Sequence, residues 1–291
     1  MKKSIIYSIA IVGASLLTVS CDNTPTIDEG IVIEDLKNTE ELTEDLFESP
    51  DVDYHLPSAI QIASIFKKSG MKFNASAMNS TDNSINYTSQ KSQMLNFGVY
   101  SADIAYCITN EQTDEASGLF DVIQELADAQ GMSAVFDNKD LLTKFKSSLD
   151  NPDSIQSVMF DIHERTEEYM DDNDMMHVSA VHFAGAWVEG MYLGVFDFEN
   201  NEKKEGVGSQ ITEQMEILKN IIKGLQDPKN SESGLETVIA DLEKIQNTYS
   251  EFETVKVFHA DENAIELNLS IEEFSKLSEL IKDIRASIVN A

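Results

Sequence analysis

Two long apolar segments of the chain carry polar side chains that could do acid–base or metal chemistry. His182 and Glu189 lie seven residues apart in the segment 178–196, so a helix there places both on one face. Asp103 lies in the other apolar segment, 94–108. Imidazoles and carboxylates bind transition metals and also act as general acids and bases. If both segments form packed helices, these side chains are predicted to be buried and therefore paired.

A further histidine enlarges this set of candidate metal ligands to His163, His182, Glu189 and Asp103. The set resembles a di-iron helix bundle only in residue type, because those bundles use Glu-x-x-His twice and this chain has no such motif. The favoured interpretation is a buried polar network that fixes helix register, with no catalytic residue, metal or cofactor. The alternative is a metal-dependent or acid–base enzyme with a His/Asp/Glu site between the central helices.

The composition indicates a globular, strongly acidic protein. The 291 residues include 52 Asp and Glu against 21 Lys and Arg, which gives a formal net charge of −31. Phosphate binding needs a positive surface, so we predict that the chain does not bind nucleic acid. With 42% hydrophobic residues the chain can build a core, which argues against wholesale disorder. Motifs for acyl transfer, phosphate binding and zinc hydrolysis are missing, which favours a protein without enzymatic activity.

Apolar residues recur at helical spacing through most of the chain, which predicts an all-α fold built as an irregular multi-helix bundle. Asn151 followed by Pro152 is typical of a helix start. Ser270 and Glu273 have the spacing of a capping box before the last amphipathic segment. The central segments are rich in glycine, which costs about 1 kcal/mol relative to alanine inside a helix. We therefore predict that the backbones of two central helices approach each other closely.

One region near the C-terminus has a different periodicity. Val255 and Val257, followed by Ile265, Leu267 and Leu269, alternate with polar residues at period two. This alternation is typical of a small β-hairpin.

A transmembrane interpretation of residues 175–198 is weaker than a buried central helix. Gly190 and Gly194 have the spacing of membrane helix dimers. The same stretch contains His182 and Glu189, which are costly in a bilayer. We therefore predict that this segment is the centre of a globular domain.

The first twenty residues are typical of a signal peptide. Lys2 and Lys3 precede a run of apolar and small residues from 5 to 17, which is too short to span a bilayer as a helix. At the end of this run, residues 17–21 read Leu-Thr-Val-Ser-Cys, which resembles the lipobox of bacterial lipoproteins. That resemblance implies cleavage before Cys21, attachment of palmitate-type acyl chains to Cys21, and membrane anchoring through them.

The domain organisation that we predict has three parts. Residues 1–20 are the signal peptide, and residues 21–53 are the lipidated cysteine with an acidic, flexible tether that holds twelve acids and one base. Residues 54–291 form the helical domain, with a sub-boundary near 200–208.

The lipobox and the helical body together resemble uncharacterised helical lipoproteins of Gram-negative envelopes. This resemblance implies a lipid-anchored protein of the cell envelope, in the outer membrane on its periplasmic or surface face. The expected role is that of a binding or structural domain. Its negative charge favours a cationic protein partner and repels anionic surfaces.

Overall fold

The computed structural model describes residues 58–136, 139–148, 151–201, 205–261, 264 and 267–290, and these are mainly α-helical. The predicted signal peptide 1–20 and tether 21–53 lie outside the described residues. Within them the α-helices, in chain order, are α1 (Ala59–Lys68), α2 (Gln90–Thr109), α3 (Thr113–Ala129), α4 (Ser133–Phe136), α5 (Lys139–Ser148), α6 (Pro152–Asp172), α7 (Met176–Asn200), α8 (Glu205–Gln214), α9 (Leu218–Leu225), α10 (Glu236–Ser250), α11 (Glu253–Ala260) and α12 (Ile271–Val289). Short 3₁₀ turns lie at 75–77, 81–86, 215–217 and 228–230.

Polar caps fix where several of these helices begin. Ser58, Ser89 and Ser270 each accept the backbone N–H three residues later and close a capping box at α1, α2 and α12. Asn151 caps α6, and Pro152 occupies its first turn. The caps that the sequence predicts at Asn151 and Ser270 are therefore confirmed.

Helices α2 and α7 form the centre of the domain, and their backbones touch. A Cβ atom on Gly98 would lie 1.8 Å from the carbonyl oxygen of His182, and one on Gly185 would lie 1.9 Å from the carbonyl oxygen of Leu95. Only glycine fits such spacing, which explains why both helices tolerate its conformational cost. The predicted close approach of two central helices is confirmed.

The glycine pair of α7 packs against α1. A Cβ on Gly190 would lie 3.1 Å from the side chain of Ile62, and one on Gly194 would lie 2.7 Å from the ring of Phe66. The GxxxG spacing therefore makes room for large side chains of a neighbouring helix of the same chain. Among the described helices, none combines the length and the apolar character that crossing a bilayer requires.

The remaining helices surround this pair and share one apolar core. Helix α3 packs on α2, α12 packs on both α2 and α7, and α9 packs on α7. Aromatic contacts join the outer helices, such as the stacked rings of Phe120 and Phe145, whose centroids are 4.1 Å apart. This arrangement brings α2, α7 and α12 together at one place, where the polar residues described below meet.

The predicted C-terminal β-hairpin is wrong. Val255 and Val257 lie in helix α11, while Leu267 and Leu269 lie in irregular backbone, and Ile265 lies outside the described residues. The described residues contain no strand. Val255 is buried and Val257 is 58% exposed, so the helix separates two residues that a strand would have placed on one face.

Candidate functional site

Three charged side chains from three helices meet in the core, and we call Asp103, Glu189 and Arg285 the buried charge cluster. Asp103 on α2 and Glu189 on α7 are both 0% exposed. Arg285 on α12 donates from Nε to Glu189 Oε2 at 2.9 Å and from Nη2 to Glu189 Oε1 at 3.0 Å. This bidentate geometry is the strongest form of an ion pair between these groups. The cluster therefore ties the last helix to the central pair.

Asp103 connects the cluster to the backbone of the 71–88 segment. Its Oδ2 accepts the N–H of Asn79 at 3.0 Å, and its carboxyl group lies near that of Glu189, whose charge acts on it. Burial raises the pKa of Asp103 well above its ordinary value, and the negative charge of Glu189 raises it further. Burial also raises the pKa of Glu189, although the guanidinium of Arg285 opposes that shift.

Arg285 has two further partners besides Glu189. Its guanidinium carbon lies 4.3 Å from the centre of the Tyr192 ring, and Nη2 donates to the carbonyl of Ala77 at 3.4 Å. Burial lowers the pKa of Arg285, but the charge and hydrogen bond of Glu189, together with the nearby acidic groups, outweigh burial and the net shift is upward. Arg285 therefore stays a cation inside the domain.

Side chains of α2 hold the 71–88 segment over the cluster. Tyr100 donates its hydroxyl to the carbonyl of Ser80 at 2.8 Å, and Tyr106 donates to the carbonyl of Lys72 at 2.7 Å. Tyr100, Asp103 and Tyr106 follow one another at three-residue spacing, so they lie on one side of the helix. One face of α2 thus binds three points of a segment whose regular structure is limited to the two 3₁₀ turns at 75–77 and 81–86.

The end of α12 is held by two more buried hydrogen bonds. Tyr87 donates its hydroxyl to the carbonyl of Val289 at 3.0 Å, and Asn96 donates its amide to the carbonyl of Ile288 at 3.0 Å. These carbonyls belong to the last turn of the helix, which has no partners within the helix itself. The two bonds therefore give hydrogen-bond donors to these carbonyl oxygens and fix the last turn of α12 against the core.

His182 lies away from the cluster, although it shares helix α7 with Glu189. The seven-residue separation corresponds to about 10 Å along the helix axis. Its Nε2 lies 2.7 Å from Oε1 of Gln130, and its ring stacks on Phe97 with centroids 4.3 Å apart. Burial lowers the pKa of His182 to about 3, so the ring is neutral near pH 7.

The four candidate ligands do not form one site. Asp103 and Glu189 meet, His182 bonds to the end of α3, and His163 lies half-buried on α6. The part of the chain that the structure describes holds no group of three or more His, Cys, Asp or Glu residues placed to bind a metal. Asp103 and Glu189 thus lie in one cluster, and His182 lies in a separate pair with Gln130.

The sequence did not predict the hydrogen-bonding partners of the three candidate residues. Glu189 bonds to Arg285, His182 to Gln130 and Asp103 to Asn79. Arg285 carried a usable signal, because the chain has only two arginines and this one lies beside the apolar inner face of the last helix. Gln130 and Asn79 carried none, since amides in turns are common.

The interface between the central helices leaves little empty space. A cavity of about 10 Å³ lies between α1, α2 and α7, lined by Ala63, Ala102, Ala186, Gly190 and others. That volume holds about one water molecule. A half-open pocket of about 250 Å³ lies where the first turns of α2 and α7 meet the end of α3, beside Gln93, Gln130 and Met175.

Comparison of the chain with protein-family models, with curated proteins and with solved structures gave no match in any of the three.

Proposed function

We propose that this protein is a lipid-anchored component of a bacterial envelope, held to the outer membrane through Cys21, and that its helical domain serves binding or structure without catalysing a reaction. The observation that carries the proposal is the lipobox-like sequence ending at Cys21, placed after Lys2, Lys3 and a short apolar run. An acidic stretch then separates Cys21 from the domain, as expected for a spacer between a membrane and a folded body.

The chemistry of the core is consistent with this proposal. Each charged group of the buried charge cluster joins separate elements of the fold, and His182 bonds to Gln130. Buried polar groups that form hydrogen bonds or ion pairs with one another help to fix the register of the helices. A structural role accounts for their presence in an otherwise apolar core.

The surface of α3 supports a cationic partner. This helix has no basic residue, and its exposed acids, which we call the acidic face of α3, are Asp114, Glu115, Asp121, Glu125 and Asp128. Such a face attracts positively charged proteins and repels anionic lipid. The attraction is expected to fall with rising salt, since exposed charges are screened within roughly 8–10 Å.

Metabolic labelling with an alkyne analogue of palmitate tests the anchor. The wild-type protein should take up the label and sediment with membranes, whereas the Cys21→Ser variant should do neither. Cys107→Ser is the matched control, because Cys107 is the buried thiol of the domain and its loss should leave labelling unchanged. Continued labelling of Cys21→Ser would contradict the proposal.

Affinity purification from detergent-solubilised envelopes tests the partner. We expect a stoichiometric partner whose recovery falls in high salt and in the triple variant Asp121→Asn, Glu125→Gln, Asp128→Asn. The control removes three exposed acids of α12 by the changes Glu272→Gln, Glu279→Gln and Asp283→Asn. Repeated recovery of the chain alone, or equal losses in both triple variants, would count against this part of the proposal.

A further inference from the structure

One oxygen atom in the buried charge cluster has no hydrogen-bond donor. Asp103 Oδ2 accepts the Asn79 N–H, but Asp103 Oδ1 is buried and no donor faces it. Both oxygens of Glu189 already accept from Arg285. The carboxyl group of Glu189 lies nearby, but an ionised carboxylate can only accept hydrogen bonds. Asp103 Oδ1 is therefore a buried acceptor without a donor, and a proton on Asp103 lets it donate to Glu189 instead.

The charge balance of the cluster leads to the same conclusion. Two ionised carboxylates against one guanidinium would leave a net negative charge in a dry core, which is costly. With one proton the cluster is neutral. That proton resides on Asp103, because Glu189 faces the guanidinium directly in a bidentate pair.

Other nearby groups do not supply the missing positive charge. The titratable and charged groups around Asp103 are Tyr100, Tyr106 and Cys107 from α2, Tyr87 from the 71–88 segment, Glu189 and Tyr192 from α7, and Arg285 from α12. Burial raises the pKa of Tyr100, Tyr106 and Cys107, so these groups are neutral near pH 7. Arg285 is the only cation in this set.

We propose that a single proton held by Asp103 beside Glu189 acts as a latch, which fastens the 71–88 segment and helix α12 to the central helices and which opens when rising pH removes the proton. Asp103 holds Asn79 of the 71–88 segment, and Glu189 holds α12 through Arg285. Arg285 joins the two attached elements by its bond to Ala77. Loss of the proton leaves two like charges close together in the core, and separating the attached elements lets water reach them.

The variant Asp103→Asn tests the latch because it imitates the protonated acid at every pH. The new amide can still accept the Asn79 N–H with its oxygen and can donate to Glu189 with its nitrogen. Folded wild-type protein keeps a proton that the unfolded chain releases above about pH 4. The unfolding equilibrium constant of the full chain in detergent should therefore rise, relative to that of the variant, by up to tenfold per pH unit until Asp103 ionises.

Two further measurements make the outcome decisive. Infrared spectra should show a protonated carboxylic acid in the wild-type protein at neutral pH, and Asp103→Asn should remove this band. Asp197→Asn identifies any contribution from a second buried carboxyl group. At alkaline pH, amide hydrogen exchange in α12 and at Asn79 should be faster in the wild-type protein than in Asp103→Asn at the same pH.

Parallel pH curves for the wild-type protein and Asp103→Asn would overturn the latch, as would a neutral-pH spectrum without the acid band. If Asp103→Asn does not fold, hydrogen exchange and infrared spectra of the wild-type protein across a pH series still test the proposal. Exchange in α12 that stays slow after the acid band has disappeared would refute the proposal. Exchange that accelerates as the band disappears would support it.

Discussion

Two contacts near the middle of the α2–α7 pair, about one helical turn apart, hold the helices together by different forces. At the first, Gly98 and Gly185 place backbone against backbone. At the second, Asp103 and Glu189 lie in the core and bring in a third helix through Arg285. The glycine contact sets how close the helices are, whereas the polar contact selects their register and the docking of α12. The same two helices therefore depend on shape at one contact and on protonation at the other.

The buried titratable groups at these two contacts also respond to pH in opposite directions. His182, beside the glycine contact, has a lowered pKa, so the folded state resists taking up a proton. Asp103 has a raised pKa, so the folded state resists losing one. Falling pH therefore destabilises the glycine contact, and rising pH destabilises the polar contact. The predictions below perturb one contact at a time or compare it with a site elsewhere.

The largest effect is expected for Gly98→Ala. The new methyl group would overlap the His182 carbonyl, and relief requires two packed helix backbones to separate. Overpacking costs about 1–3 kcal/mol and sometimes more. Because this clash is with backbone, we expect a loss of about 4 kcal/mol in the free energy of unfolding, measured by urea titration.

The matched control for this change is Gly118→Ala. Gly118 is also in a helix interior, but nothing lies within 4 Å of the position that a methyl group would take there. Alanine should therefore stabilise the protein by about 0.5–1 kcal/mol. A loss below about 1 kcal/mol for Gly98→Ala would show that α2 and α7 can move apart freely.

At the polar contact, Glu189→Gln should cost about 3 kcal/mol at pH 7. The change leaves the Arg285 cation without its bidentate carboxylate partner, and breaking a buried ion pair in this way costs about 3–5 kcal/mol. The double variant Glu189→Gln, Arg285→Met removes the stranded cation and should regain at least about 1 kcal/mol. A double variant less stable than Glu189→Gln would show that Arg285 acts mainly through Tyr192 and Ala77.

The protonation of His182 should produce an acid-dependent loss of stability. An unfolded chain takes up a proton on histidine near pH 6.5, whereas folded His182 does so only near pH 3. The wild-type free energy of unfolding should therefore fall, relative to that of His182→Gln, by about 1.4 kcal/mol per pH unit, or about 2–3 kcal/mol by pH 4.5. Parallel curves for the two proteins between pH 7 and 4.5 would mean that His182 is protonated in the folded state.

Local patterns predicted most of the helices but not the details that depend on packing. The caps at Asn151 and Ser270 act within one turn, so the sequence reveals them. The helical region 205–225 is divided by the 3₁₀ turn Met215–Ile217 into α8 and α9, although its apolar residues keep helical spacing throughout. The failed hairpin has a similar cause, because a few alternating residues are compatible with either structure until the core selects one.

The candidate site shows the same division between local and distant information. Burial of Asp103 and Glu189 followed from the apolar segments around them. Their partner Arg285 lies 96 residues beyond Glu189, and no periodicity connects positions so far apart. His182 and Glu189 share a helix face, as predicted, but the length of the helix gives them different neighbours.

The smallest predicted effect compares two ion pairs that join the same two helices. Glu199 of α7 pairs with Lys282 of α12 at the surface, where the two side chains are 38% and 39% exposed, whereas Glu189 and Arg285 form the buried pair. Exposed pairs are screened by water and contribute about 0–1 kcal/mol. Lys282→Met should therefore cost about 0.5 kcal/mol at low salt and less at 1 M salt, while Arg285→Met should cost several times more at both. Equal losses for the two variants, measured by urea titration at both salt concentrations, would mean that the α7–α12 contact depends on the presence of a charge pair rather than on its burial.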